Sequence, residues 1–204
     1  AAIQKKQKIG NNFGDWKVAL LSPQQMNLVP EKIVKGLPEG IIERLSEKQV
    51  TPKFFQQLTE GQVGRIPHEK VKQWLVGGTE DNACVAQRTN FSLTEEDVQV
   101  LAPENENLFP YLSADQVNRL SADFIQKITP PALDKFKPEQ ITDHLVEELN
   151  VDQVQQIAHE RVKGWLKAGT QGADQRLRQR TGFSLTKDDV RNLGQDDGKL
   201  VSFL

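Results

Sequence analysis

From Leu21 to Leu75 the apolar positions recur at intervals of eight. Leu21, Val29, Leu37, Leu45, Val50, Leu58 and Ile66 open successive units, with one shortened step between Leu45 and Val50. The same spelling returns from Leu112 to Leu166, with openers Leu112, Leu120, Ile128, Phe136, Ile141, Leu149 and Ile157 and the same shortened step. Most openers are followed by Ser, Thr or Pro, as at Ser22, Pro30, Pro38, Ser46, Thr51, Thr59, Ser113, Ser121, Thr129 and Thr142. These residues favour a helix N-cap or first turn. Acids such as Glu31, Glu60, Asp115 and Asp152 follow, where the positive end of a helix dipole stabilises them. The fifth and sixth places, among them Ile41-Ile42, Phe54-Phe55, Gln62-Val63 and Gln153-Val154, supply the inward contact.

Two apolar places in a unit of eight cannot make one stripe along a continuous helix, because each unit rotates by about 80° at 3.6 residues per turn. Recurrent caps therefore predict a string of helices of about one and a half turns each. Isolated helices this short lose to the cost of nucleation, so each must cover the apolar face of its neighbour. That is the logic of a solenoid. An octad also suits a β-solenoid, but Pro, Glu, Gln and Lys crowd these units and strict alternation is absent. The predicted fold class is all-α: a tandem-repeat α-solenoid, an armadillo-like superhelix of very short helices in two modules of about 90 residues.

The last unit of each array lengthens into a helix, Ile66 to Val76 and Ile157 to Lys167, stopped by Gly77-Gly78 and by Gly169. A second helix is expected over Glu80 to Arg88 and over Gly172 to Arg180, the second copy being one residue longer. Arg88-Thr89-Asn90-Phe91-Ser92-Leu93-Thr94 then aligns with Arg180-Thr181-Gly182-Phe183-Ser184-Leu185-Thr186, and Thr94 and Thr186 cap a further short helix. The organisation read from the chain is a flexible amino-terminal segment 1–15, a module 16–106, a module 107–198 and the start of a third copy at 199–204. Phe203-Leu204 answers Tyr111-Leu112, so the expectation is a piece of a longer array that admits end-to-end association.

The units Leu58-Thr59-Glu60-Gly61-Gln62-Val63 and Leu112-Ser113-Ala114-Asp115-Gln116-Val117 resemble the L-[ST]-x-[ED]-Q-[VI] tracts of repetitive bacterial proteins. They are also similar to the short-helix superhelices of mesothelin-like proteins and of the magnesium transporter's cytosolic N domain. The resemblance covers the octads, roughly half of the chain. It implies an armadillo-like superhelix used for binding and carries over no catalytic residue. The units further resemble the first helix of transcription-activator-like effector repeats, but the base-reading loop and long second helix do not recur here.

Composition narrows the partners. With 26 basic and 28 acidic residues interspersed, the net charge of −2 lacks the polybasic signature that nucleic acid or anionic membranes select. No run reaches the roughly 18 apolar residues that span a bilayer, so membrane insertion is not expected. The single cysteine, Cys84, excludes an intramolecular disulfide. It reads as a half-buried small hydrophobe, having no histidine near it in sequence.

His68-Glu69 and His159-Glu160 start the long helix of each copy, but a zinc site spelled H-E-x-x-H would need a second histidine where Lys72 and Lys163 stand. Trp74 and Trp165 read as core at the junction of array and closing hairpin rather than as binding anchors. Gln25, Gln49, Gln62, Gln116, Gln140 and Gln153 recur, and their amides suit the unpaired carbonyls at neighbouring helix ends. No phosphate loop, serine elbow or paired-carboxylate motif is present, and no cofactor or metal is implied.

The expected function is a noncatalytic protein-interaction scaffold, a repeat segment of a larger protein with an unidentified protein partner. The alternatives are an accessory or targeting region of a bacterial toxin, effector or enzyme with its catalytic domain outside this chain, and a nucleic-acid-binding helical repeat. Candidate partner-binding residues are His68, Lys72, Arg88, His159, Lys163, Arg176 and Arg180. A soluble chain is expected, cytoplasmic or secreted into a host cell.

Overall fold

A computed structural model describes residues 17–192 and 198–201. The expected amino-terminal segment 1–15 and the Phe203-Leu204 end of the third copy lie outside the described residues. The described residues form short helices without a single strand, so the chain is all-α and the β-solenoid alternative falls. It divides into two compact units, Ala1–Phe91 and Ser92–Leu204.

In the first unit the helices are Pro23–Met26, Glu31–Lys35, Glu39–Ile42, Pro52–Gln57, Glu60–Val63, His68–Gly77 and Asn82–Thr89. Their starts follow the spelling. Ser22 and Thr59 accept from the N–H three residues on, while Gln25 and Gln62 return a side-chain oxygen to the N-cap N–H, the reciprocal arrangement of a capping box. Pro30 and Pro38, read as cap or first-turn residues, occupy the N-cap itself in extended backbone, and so does Pro67. A proline there offers no capping oxygen, but its fixed φ holds the chain extended before the helix turns. Apolar openers and sixth-place residues are both buried, as at Leu45, Leu58, Val34, Ile42 and Phe55. Each such side chain contributes about 1.5–3 kcal/mol relative to exposure.

The second unit contains Glu95–Gln99, Ala114–Val117, Ala122–Lys127, Pro130–Leu133, Asp143–Glu148, Val151–Gln156, His159–Ala168, Asp174–Thr181, Lys187–Arg191 and Gly198–Val201. The shortened step of the octads has a local cause in both units. Five residues are too few for an extended link plus an α turn, and Glu47–Gln49 and Pro138–Gln140 each make one 3-10 turn instead. The extra residue of the second copy falls before its closing helix, not within it, for Asn82–Thr89 and Asp174–Thr181 both have eight residues. Gly172 takes it up at φ +84, outside helical geometry, while the Gln171 N–H donates to the Ile141 carbonyl at 3.0 Å.

Polar side chains then tie several later helices to residues about thirty positions earlier. Gln49 Nε2 donates to the Leu21 carbonyl at 2.8 Å, and Gln62 Nε2 to those of Val34 at 3.0 Å and Leu37 at 2.9 Å. Gln140 Nε2 reaches Phe109 and Leu112 at 2.7 and 2.5 Å, and Gln153 Nε2 reaches Ile125 and Ile128 at 2.8 and 2.6 Å. A helix end leaves its last carbonyls without intrahelical partners, and a glutamine at the third position of a later helix satisfies them. His144 does the same, its Nε2–H donating to the Leu120 carbonyl at 2.8 Å.

The tryptophans are buried in both units, with Trp74 at 1% and Trp165 at 3% exposure. They differ in one bond. Trp74 Nε1 donates to the Leu45 carbonyl at 2.8 Å, whereas at the matching place Arg161 Nη2 takes the Phe136 carbonyl at 3.0 Å. Position 161 carries Lys70 in the first copy, whose ammonium lies 5.7 Å from the Trp74 ring centroid while the indole holds the carbonyl. The Arg161 guanidinium lies 5.2 Å from the Trp165 ring centroid, and Trp165 Nε1 is left without a hydrogen-bond partner among the described residues.

Candidate functional site

A cluster of ionisable groups gathers on the ten-residue helix His159–Ala168. Val162, Trp165 and Leu166 fix its inward face, so His159 and Lys163, one turn apart, share another side. Both point to Asp189, a residue read in the sequence only as part of a capped helix. Asp189 is the third residue of the Lys187–Arg191 helix and serves as its capping-box acid. Its Oδ2 accepts from the Thr186 N–H at 2.9 Å, the Thr186 hydroxyl at 2.6 Å and His159 Nε2 at 3.0 Å. Its Oδ1 accepts from Lys163 Nζ at 2.5 Å, and Glu160 completes the network with a 2.6 Å ion pair to the same ammonium. His159 in turn stacks on Phe183 with ring centroids 4.7 Å apart.

Four donors on one carboxylate set its electrostatics. The Lys163 ammonium, followed by the Thr186 hydroxyl and N–H and by His159, holds the Asp189 carboxyl well below the ordinary carboxylate range. Bonds to Asp189 and Glu160 push the Lys163 ammonium up. A half-open cleft of about 460 Å³ lies over the cluster, lined by His159, Lys163, Lys167, Thr186, Asp189 and Leu200 among others.

His159, Glu160 and Asp189 bring ligand atoms within 4.8 Å of one another, close enough for a cation. The donor set fits one poorly, because the Lys163 ammonium already occupies both carboxylates and a metal would have to displace it. As arranged, the cluster clamps the long helix to the capped helix after it. It has no nucleophile paired with a base and no array of free donors for an oxyanion.

His68 stacks on Phe91 at a centroid distance of 4.8 Å, and Lys72 pairs with Glu69 at 2.8 Å. Arg88 donates to the Phe55 carbonyl and, at 2.8 Å, to that of Leu58. Arg180 makes the matching bonds in the second unit, to Val146 and Glu147 at 2.5 Å and Leu149 at 2.7 Å. These two guanidiniums finish the carbonyl ends of short helices. Arg176 pairs with Glu147 at 2.9 Å and Asp143 at 3.4 Å. Burial pushes the Cys84 thiol up, away from the thiolate a nucleophile requires. Comparison of the chain with family models, with curated proteins and with solved structures finds no match.

The clamp predicts a pH dependence. Because the folded-state carboxyl of Asp189 titrates below its unfolded value of 3.8, its contribution is complete above that value. It is lost as the pH falls through the folded value. Thermal melts of the wild type and of Asp189→Asn should therefore differ widely at pH 7 and converge as the pH is taken from 4 towards 2. A gap independent of pH would show that the carboxylate's charge contributes nothing.

Proposed function

We propose that this chain is a noncatalytic protein-interaction scaffold whose short helices coil as a tandem-repeat α-solenoid. One observation carries the reading: four glutamines and two arginines that recur in the arrays and closing helices are committed to backbone carbonyls about one coil earlier. Gln49, Gln62, Gln140, Gln153, Arg88 and Arg180 all reach back by 25 to 34 residues. Side chains that repeat for stacking converge on the previous helix ends, as these do. The solvent side meanwhile carries apolar residues that no cap requires, such as Leu28 at 78% and Val151 at 65% exposure. Each is a place where an introduced charge would disturb a docked protein and leave the helices intact.

The test is retention of a protein by the immobilised chain from lysate of its own source, scored against Leu28→Asp and Val151→Asp. The scaffold reading expects a partner held at fixed stoichiometry by the wild type and lost from a variant with unchanged helical circular dichroism. No protein that depends on either face overturns it. Turnover of a substrate panel abolished by His159→Ala would replace it with a catalytic reading.

A further inference from the structure

Two buried donors in the second unit lack an acceptor, and they are neighbours. Arg161 Nε and Trp165 Nε1 belong to residues one turn apart on the His159–Ala168 helix, and neither has a hydrogen-bond partner among the described residues. A buried donor left unmade carries its full desolvation cost, so two of them side by side require a physical reason. The acceptor that could serve one of them is taken. Arg161 Nη2 holds the Phe136 carbonyl at 3.0 Å, with its guanidinium 5.2 Å from the Trp165 ring centroid.

The first unit uses the same carbonyl differently. Leu45 stands where Phe136 does and Lys70 where Arg161 does, and there the Trp74 indole donates to the carbonyl at 2.8 Å while the Lys70 ammonium lies 5.7 Å from the ring centroid. A tryptophan at this place on this helix can therefore reach that carbonyl. Arg161 also has a second acceptor at hand. Its Nε lies 3.3 Å from Asp134 Oδ1 yet out of line for a hydrogen bond, and the two side chains are 34% and 61% exposed. The Asp134 carbonyl, which Arg161 Nη2 also holds, belongs to an exposed residue, so water can replace the guanidinium there.

We propose that Arg161 and Trp165 form a two-position switch on the Phe136 carbonyl. In the inward position the guanidinium holds the carbonyl and the indole N–H is unpaired. In the outward position the guanidinium lies as a fork on the Asp134 carboxylate, and the Trp165 indole N–H donates to the Phe136 carbonyl, as Trp74 does to that of Leu45. One movement satisfies both orphaned donors. It gives up the Arg161–Phe136 bond and the contact of the cation with the ring. The switch joins a surface carboxylate to a bond inside the core: a cationic group that occupies Asp134 sends the guanidinium inward, because it competes only for the outward position.

The Trp165 indole N–H reports the switch in proton–nitrogen correlation spectra of the full chain, with Trp74 as the internal standard for a bonded indole. Each variant is checked by helical circular dichroism. Arg161→Lys gives the second copy the residue of the first. It should move the Trp165 resonance downfield towards that of Trp74 and slow its exchange with solvent about tenfold. Asp134→Asn, at an exposed position, removes the charge that draws the guanidinium out and should move the resonance the opposite way. The wild type then lies between the two variants. A Trp165 N–H indifferent to Arg161→Lys overturns the competition for the carbonyl, and a wild type that coincides with Asp134→Asn overturns the outward position.

Discussion

Trp74→Ala should lower the unfolding free energy by about 3–5 kcal/mol, measured by urea denaturation followed by helical circular dichroism. The side chain is almost wholly buried, stands edge-on to Phe55 with centroids 6.4 Å apart, and bonds the Leu45 carbonyl. Truncation removes a large apolar volume and leaves a buried acceptor unpaired. Replacement by phenylalanine separates the two effects, because the ring is kept and only the indole N–H is lost. Trp74→Phe should cost about 1–2 kcal/mol more than Trp165→Phe, whose N–H has no acceptor among the described residues. Equal costs would show that the Trp74–Leu45 bond contributes nothing.

Gln140→Ala should cost about 2–4 kcal/mol, since one side chain serves three backbone groups in a site only 2% exposed. Its oxygen accepts from the Lys137 N–H at 2.6 Å, and its amide donates to the carbonyls of Phe109 and Leu112. Gln140→Glu should be worse than alanine at pH 7. A carboxylate keeps the acceptor but places a negative charge against two carbonyl oxygens with no proton to give them. Hydrogen exchange locates the damage: in a coil, Gln140→Ala speeds exchange in 109–112 and 137–149 and leaves 30–60 untouched. Uniform acceleration would contradict the coil, and an unchanged pattern would contradict the tie.

Much of this architecture was legible in the spelling. The caps Ser22, Thr59, Ser113 and Thr186 start helices where hydroxyl residues precede acids and glutamines, because capping is decided within four residues. The glutamines were readable as carbonyl partners for a related reason. An amide recurring at the third place of a short helix has few other buried acceptors within reach. Pairings across distance were not legible. Asp189 could be read as a cap acid, but its meeting with His159 and Lys163 depends on how two helices cross, and no local signal encodes that. Nor did the sequence reveal that Arg161 displaces the Trp165 indole from its carbonyl. A change from lysine to arginine looks conservative until the planar fork is placed beside a free acceptor.

The long-reaching side-chain bonds to carbonyls span from 23 to 34 residues. Loop closure over such distances costs little more than over half of them, since the entropy grows only with the logarithm of length. A chain leaving the ribosome can therefore finish each fastening soon after it is begun, without waiting for distant sequence to be made. Synthesis and folding run in the same direction here, and an interruption of translation leaves behind a shorter but completed stretch.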